Sequence, residues 1–190
     1  STSPEITALN DDDFIFRTVA SDTMQGLVLG QLAARLGYDR VAVMYVNNSY
    51  GLGLAQNFEL SFVAEGGTVT ARVPFDQEQV SYRGELDRAA VGGAQALVLI
   101  SYPESGITIL RQSLEGGYFD KFMFTEGMQA PEVVEAIGPD LEGAWGTGPY
   151  SAETEATERF RNAYEAIHGT PPATAFMYEA YDAAFVIALA

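Results

Sequence analysis

Apolar runs of strand length alternate with segments of helical character, and this alternation limits the possible folds more than any other feature of the sequence. Val41–Val46 is nearly all apolar and is followed by the helical segment Leu52–Ala64, and Ala96–Ile100 is followed by Ser105–Leu114. Strands that are buried on both faces have continuous apolar sequences, whereas helices show a periodic stripe. The alternation therefore predicts an α/β fold of three layers, α/β/α, with a central parallel sheet.

The remaining elements follow the same order, and glycines mark where several of them end. A helix capped by Ser21 or Asp22 is predicted to stop at Gly37. Gly26 and Gly30 lie inside this helix and indicate close packing against a neighbour. Further strands are predicted at Phe14–Thr18, Thr68–Val73, Lys121–Phe124 and Ala144–Thr147, and further helices at Tyr82–Val91, Pro131–Ile137, Glu153–Ile167 and Ala173–Ala190.

The charge of the chain limits its partners. Its 26 acidic and 10 basic residues give a net charge of −16, which disfavours nucleic acids and anionic membrane surfaces. Because the chain has no cysteine, disulfides, thiolate catalysis and cysteine-bound metals are excluded. No apolar run is long enough to cross a bilayer, so we expect no direct membrane insertion. The segment Ser1–Pro4 does not resemble a signal peptide, but a mature or excised segment of an exported protein would look the same.

Polar and aromatic side chains follow three of the predicted strands at the points where those strands end. Asn48–Gly51, Ser101–Glu104 and Thr125–Gly127 follow the three strands in turn. The carboxyl ends of parallel strands share one edge of a sheet, and ligands of open α/β sheets bind at that edge. The phenols in the first two segments and the carboxylate in the third are therefore predicted to form a small-molecule cleft that suits a ligand with an ammonium group.

Each of these side chains also has an ordinary structural interpretation. Tyr50 can be an aromatic residue that covers the sheet edge, and Glu126 can be a solvated carboxylate at a strand end. Glu104 is better explained as an acid in the first turn of a helix, where it complements the helix dipole. The only histidine, His168, lies at the predicted end of a helix and is explained as a cation at a helix C-terminus.

Most sequence signatures of catalysis are absent. The chain has no G-x-S-x-G, no G-x-x-x-x-G-K and no G-x-G-x-x-G after a strand. Asp11-Asp12-Asp13 lacks the spacing of a calcium loop, and we expect neither a metal nor a cofactor. The chain is therefore interpreted as a binding protein and not an enzyme. A small α/β hydrolase is kept as a less favoured alternative, because its nucleophile–base pair would depend on His168.

Several short stretches match one family in order and spacing over essentially the whole chain. They are Ser1–Thr7, Phe16–Thr18, Arg40–Val43, Asn48–Gly51, Tyr102–Glu104, Thr125–Gly127 and Tyr178–Ala183. With these stretches the sequence resembles the type I periplasmic solute-binding proteins of ABC transporters, specifically the second lobe of the leucine/isoleucine/valine-binding branch. The resemblance implies two α/β lobes that are joined by a hinge and close on an amino acid.

The resemblance also implies which residues form the ligand-binding site. Thr2 would lie in the hinge-side segment that contacts the carboxylate of the ligand. Tyr50 and Tyr102 would line the cleft, and Glu126 would accept the α-ammonium group. Phe176 would touch the pocket for the side chain of the ligand. The implied ligand is a small amino acid, branched-chain or otherwise aliphatic, and the sequence leaves its identity open.

Members of this family carry a complete lobe before the segment that matches Ser1 and further chain after the segment that matches Ala190. We therefore expect residues 1–170 to form the C-terminal, ligand-binding lobe and residues 171–190 to form a hinge crossing and a helix that packs on the N-terminal lobe. The implied partner is the membrane permease of an ABC transporter, and the implied location is periplasmic or extracellular. The alternative within this fold is a ligand-sensing receptor domain that binds an amide or an aromatic acid.

Overall fold

A computed structural model describes residues 1–190 and shows one parallel sheet with helices around it. The five strands run in the spatial order β2-β1-β3-β4-β5. The strands are β1 (Arg40–Val46), β2 (Thr68–Phe75), β3 (Ala96–Ile100), β4 (Phe122–Phe124) and β5 (Trp145–Gly146). The helices are α1 (Asp22–Arg35), α2 (Ser49–Ala64), α3 (Arg83–Ala90), α4 (Pro103–Gly116), α5 (Pro131–Ile137), α6 (Glu155–His168) and α7 (Met177–Leu189), with 3₁₀ turns at Pro4–Ala8, Glu126–Met128 and Gly138–Leu141. The predicted α/β class and central parallel sheet are confirmed.

The core lies around β1 and β3, as their apolar sequences predict. Every residue of β3 is buried, and every residue of β1 after Arg40 is buried. The two strands pair in parallel, with Val43 opposite Val98, and β4 pairs with β3 on the other side. This arrangement brings the carboxyl ends of β1, β3 and β4 side by side.

Helices α1 and α2 approach each other closely at two glycines. A Cβ atom at Gly26 would lie 2.7 Å from the Cβ of Asn57, and one at Gly30 would lie 2.7 Å from the backbone nitrogen of Phe62. Both distances are below any normal carbon contact, so neither position can hold a larger side chain without moving the helices apart. The close packing predicted from Gly26 and Gly30 is confirmed.

The predicted strand Phe14–Thr18 is wrong. These residues form no ladder with any strand, and Phe14 and Phe16 are 85% and 83% exposed. The segment is held instead by its polar groups, because Arg17 donates hydrogen bonds to the carbonyl of Ser3 at 3.0 Å and to the hydroxyl of Thr7 at 2.9 Å. Alternating apolar residues produce a strand only where a partner edge is available.

The last two helices form an aromatic hairpin beside the sheet. The ring of Phe160 on α6 lies 5.0 Å from Tyr178 and 4.7 Å from Tyr181 on α7. Neither helix has a buried residue, and Ile187 and Leu189 near the end of α7 are 79% and 82% exposed. No helix of the protein has both the length and the apolar character that a bilayer crossing requires.

Candidate ligand-binding site

The first turn of α2 places Tyr50 at the carboxyl edge of the sheet. The side chain of Asn48 caps this helix by accepting a hydrogen bond of 2.9 Å from the backbone N–H of Gly51. A Cβ at Gly51 would lie only 2.0 Å from the carbonyl oxygen of Val46, so the turn depends on a glycine there. The cap and the tight turn together fix Tyr50, which is 8% exposed.

Two other strand ends bring their side chains to the same place. Tyr102 has an extended backbone before Pro103, which opens α4, as expected for a residue that precedes proline. Its ring stacks on that of Tyr50, with centroids 5.4 Å apart and an interplanar angle of 20°. The hydroxyls of Tyr50 and Thr125 lie 2.9 Å apart, and this contact ties the end of β4 to the start of α2. The shared edge predicted for the three strand ends is therefore present.

A cavity of about 620 Å³ lies at this edge. All five site residues predicted from the resemblance line it: Thr2, Tyr50, Tyr102, Glu126 and Phe176. Its aliphatic lining comes from Val19, Ala130, Ala175, Ala180 and Ala183. The cavity combines a few polar groups with small aliphatic side chains, which is the composition of a site for a small amphiphilic molecule.

Glu126 is the buried acid of this cavity. It is 4% exposed and belongs to none of the four ion pairs of the protein. Burial raises the pKa of its carboxyl group, hydrogen bonds from Gln25 and Tyr50 oppose the rise, and the charge of Asp22 adds to it. The same burial, together with the Glu126 charge, raises the pKa of the Tyr50 phenol, so Tyr50 remains a neutral donor. The site therefore presents an acceptor without a protein cation.

Asp22 is a second buried acid near the cavity, and from the sequence it was predicted only as a possible helix cap. Ser21 is the residue that caps α1, whereas Asp22 is its first helical residue and is fully buried. Its backbone N–H donates to the carbonyl of Thr2 at 3.0 Å, but neither carboxylate oxygen has a hydrogen-bond partner. Burial raises the pKa of this group, and the nearby Thr2 side chain and the charge of Arg17 oppose the rise.

Gln25 contacts a cavity residue and was not predicted from the sequence. Its side-chain amide donates to the carboxylate of Glu126 and, at 2.9 Å, to the carbonyl of Thr147. The sequence does contain one indication of a buried polar residue here. Asp22 begins the stripe that continues through Gly26 and Leu29 on the buried face of α1. A charged residue on a buried stripe is uncommon and is therefore informative.

Gly127 permits the close approach of the chain segments around Glu126. A Cβ at this position would lie 2.4 Å from the carbonyl oxygen of Ser101 and 2.9 Å from the phenol oxygen of Tyr50. These neighbouring polar groups take up the space that a larger residue would need beside the carboxylate, so the position requires a glycine.

Phe176 precedes α7 in the left-handed region, with φ of 69°. This conformation is unfavourable for a residue with a Cβ atom, and it makes α7 begin at Met177 and not at the predicted Ala173. The half-buried ring lines the cavity together with Glu179. The backbone there is fixed by the Thr18 hydroxyl, which donates to the carbonyl of Glu179 at 3.0 Å.

The other polar residues considered from the sequence lie outside the cavity. Glu104 is exposed in the first turn of α4. His168 is the last residue of α6, and its ring lies 4.2 Å from that of Tyr164. No group of three or more histidine, cysteine, aspartate or glutamate side chains is arranged to hold a metal ion. The cavity thus contains hydrogen-bond acceptors, phenols and apolar surface.

Residues 1–190 match the sequence profile of the periplasmic binding proteins over their whole length. The chain belongs to this family. The resemblance to the leucine/isoleucine/valine-binding branch is confirmed by a relative in Pseudomonas aeruginosa, a leucine-, isoleucine-, valine-, threonine- and alanine-binding protein. It is 29% identical over 191 aligned positions, which cover 99% of this chain and 50% of the relative.

Two further proteins are similar to this chain. The crystal structure of a leucine-binding protein from Thermotoga maritima superposes with a TM-score of 0.76 and 28% identity, over 84% of this chain and 47% of that protein. Metabotropic glutamate receptor-like protein E of Dictyostelium discoideum is 26% identical over 156 residues, which cover 76% of this chain and 19% of the receptor. The chain spans about half the length of the bacterial relatives that it matches.

Proposed function

We propose that the chain is the ligand-binding lobe of an exported two-lobe protein that captures an aliphatic amino acid for an ABC transporter. The observation that carries the proposal is Glu126, a carboxylate that is 4% exposed, lines the cavity and has no protein cation beside it. A buried charge without a partner is unfavourable, and the ammonium group of an amino acid is the partner that this position lacks.

The rest of the cavity suits the other parts of such a ligand. The stacked rings of Tyr50 and Tyr102 form one wall, and the ring of Phe176 and several alanines supply apolar surface for an aliphatic side chain. Thr2 offers a hydroxyl for the ligand carboxylate from the hinge-side segment. In this proposal the chain binds its ligand without converting it, because the only imidazole lies at the end of α6 and not in the cavity.

The proposal includes a second lobe. The relatives are about twice as long as the part that this chain matches. In our proposal residues 1–170 form the ligand-binding lobe, and residues 171–190 contain the hinge crossing and the helix that packs on the other lobe. The exposed side chains of Val186, Ile187 and Leu189 on α7 support this division. A ligand that contacts both lobes stabilises the closed state, and the membrane permease would recognise that state.

A receptor domain that senses a ligand with the same cleft is the second candidate. It is favoured by the match to the Dictyostelium receptor-like protein. The receptor domain would use the same cleft for an amide or an aromatic acid, whereas the acid Glu126 favours a ligand with an ammonium group. An amide or an aromatic acid would leave that carboxylate unpaired.

A thermal-shift screen of the complete gene product against the twenty amino acids tests the proposal. We expect leucine, isoleucine or valine to raise the unfolding temperature by mass action, and Glu126→Gln to abolish most of the rise. The matched control is Glu135→Gln, which alters an exposed acid of α5. Stabilisation by benzoate or an amide and not by amino acids would favour the receptor alternative, and equal shifts with and without Glu126→Gln would remove this residue from the site.

A further inference from the structure

The side-chain amide of Gln25 joins parts of the protein that are far apart in the chain. It leaves the first turn of α1 and donates to the carboxylate of Glu126 after β4 and to the carbonyl of Thr147 after β5. We propose that Gln25 is the positioning residue of the ammonium-binding position, where it holds the Glu126 carboxylate in place and leaves its negative charge available to a ligand. This inference rests on the proposed function.

Two contacts from one nitrogen fix the orientation of the amide. The bond to Thr147 has a length of 2.9 Å, and the backbone N–H of Thr147 in turn donates to the carbonyl of Phe124 at 3.1 Å. The acceptor is a backbone carbonyl in a segment that is hydrogen-bonded to β4, so its position is set by the backbone. With one N–H held by this carbonyl, the second N–H points to Glu126, and the carboxylate is held in one orientation before any ligand arrives.

The Gln25 amide is an uncharged donor, and this matters as much as its geometry. A lysine or arginine at this position would also satisfy the carboxylate, but it would form an ion pair and cancel the charge that attracts an ammonium group. Glu126 contacts no such residue, although each of the four ion pairs elsewhere involves arginine. An amide satisfies part of the hydrogen-bonding need of the carboxylate without neutralising it.

The charges around Glu126 explain why it needs this support. Burial and the charge of Asp22 raise the pKa of Glu126, whereas hydrogen bonds from Gln25 and the neutral phenol of Tyr50 lower it. The phenol of Tyr102 lies within the field of both acids. Gln25 and Tyr50 are thus the side chains that oppose the rise in the Glu126 pKa caused by burial and by Asp22. Without the amide, Glu126 is expected to take up a proton at a higher pH.

The test uses two variants of the complete gene product. Gln25→Met removes the donor while keeping a side chain of similar length, and Gln25→Leu removes it with an uncharged side chain of similar volume, so neither variant adds a charge beside Glu126. Gln56→Met is the control, because Gln56 is exposed on α2. Calorimetric titration with leucine, isoleucine and valine from pH 5 to 8 gives the affinities. We expect each Gln25 variant to bind roughly ten- to a hundredfold more weakly, with the larger loss at the acidic end, and Gln56→Met to match the parent protein.

A purely structural role would give a different result. Loss of packing alone would weaken binding by the same factor at every pH, and this outcome, like an unchanged affinity in both variants, would overturn the proposal. Because Gln25→Leu fills a similar volume without adding a charge, it provides the measurement even if Gln25→Met does not fold.

A second readout needs no ligand and separates this inference from the proposed function. Carbon-13 spectra of labelled side-chain carboxyl groups follow the titration of Glu126, whose signal is identified by its loss in Glu126→Gln. We expect the pKa of Glu126 to rise in both Gln25 variants. If the pKa rises but the parent protein binds no amino acid, the proposed function fails and the positioning of Glu126 stands. If amino acids bind and the pKa does not move, the positioning role is wrong.

Discussion

The hydroxyl of Thr125 lies 2.9 Å from the phenol oxygen of Tyr50, and the residue after Thr125 is the buried acid of the cavity. Both partners are almost fully buried, at 2% and 8% exposure. The contact joins the end of β4 to the first turn of α2, so the position of Glu126 depends on a residue from a different part of the chain.

Tyr50→Phe is expected to destabilise the protein. It leaves the buried Thr125 hydroxyl without this partner, which costs about 1–3 kcal/mol of the free energy of unfolding. Urea denaturation followed by circular dichroism measures the change. Tyr150→Phe serves as the control, because Tyr150 is 83% exposed and its substitution should have almost no effect. Equal unfolding free energies for the two variants would show that the buried contact contributes nothing.

Glu126→Gln separates ligand binding from stability. The substitution removes the charge that is proposed to pair with the ligand ammonium, so the affinity for an aliphatic amino acid should fall by about 1.5–3 kcal/mol. The unfolding temperature without ligand should stay the same or rise at neutral pH, because burial raises the pKa of this carboxyl and disfavours its ionised form. Calorimetric titration and thermal unfolding of the complete gene product check the two expectations, and an unchanged affinity would contradict the proposed pairing.

The buried Asp22 carboxyl group is expected to make the protein less stable as the pH rises. Burial raises the pKa of this acid above its ordinary value of 3.8, so the folded state binds a proton more tightly than the unfolded state. Its contribution to stability is therefore complete below pH 3.8 and is lost as the pH rises through the higher, folded-state pKa. Asp22→Asn removes the titration, and we expect a higher unfolding temperature than that of the parent at pH 7.

The comparison at low pH provides the check on Asp22. The advantage of Asp22→Asn should shrink as the pH falls, because the parent carboxyl then becomes neutral as well. Asp140→Asn replaces an exposed acid and should follow the parent at every pH. If Asp22→Asn is less stable than the parent at pH 7, the surroundings stabilise the Asp22 charge and its pKa is not raised.

Gly127→Ala tests the close packing beside the acid. The added methyl group would lie 2.4 Å from the carbonyl oxygen of Ser101, and overpacking of this kind costs about 1–3 kcal/mol. Gly84→Ala is the matched control, because its new methyl group on α3 would lie 4.0 Å from its nearest neighbour, an arginine nitrogen. There we expect a gain of about 0.5–1 kcal/mol. Chemical denaturation of both variants should give changes of opposite sign.

Phe176 provides a test of backbone strain. Because its φ is 69°, Phe176→Gly should be more stable than Phe176→Ala by about 1 kcal/mol. The reverse order is expected at the exposed helical position Ala184, where glycine is about 1 kcal/mol less favourable than alanine. Thermal unfolding of the three variants and the parent gives both differences. A Phe176→Ala variant as stable as Phe176→Gly would mean that the turn relaxes to an ordinary conformation.

Most strands, and the sheet edge that carries the site, could be predicted from the sequence because they depend on patterns within a few residues. Ala96–Ile100 and Pro131–Ile137 coincide with the observed elements, since a continuous apolar run and a proline at a helix start each specify structure over a few residues. The phenols and Glu126 follow from the rule that parallel strands end at one edge. The strand predicted at Phe14–Thr18 is absent because a strand also requires a neighbouring strand to pair with, and no local pattern shows whether one exists.

The hydrogen bonds that hold Glu126 could not be predicted in the same way. Gln25 contacts residues 101 and 122 positions away in the chain, so its role depends on how α1 is placed over the sheet. Asp22 gave a weak signal as a polar residue on a buried stripe, but the stripe does not reveal that the carboxylate lacks a partner. Such long-range polar contacts are decided by tertiary packing, and a glutamine has no distinctive sequence pattern.

The narrow spacing of α1 and α2 has a functional consequence. Gly26 directly follows Gln25, and the helix that it packs against is the one whose first turn carries Tyr50. Gln25, which donates to the Glu126 carboxylate, and Tyr50 therefore stand on two helices whose separation depends on the absence of side chains at Gly26 and Gly30. A substitution at Gly26 would shift Gln25 and Tyr50 relative to each other, so this glycine can affect ligand affinity although it does not line the cavity.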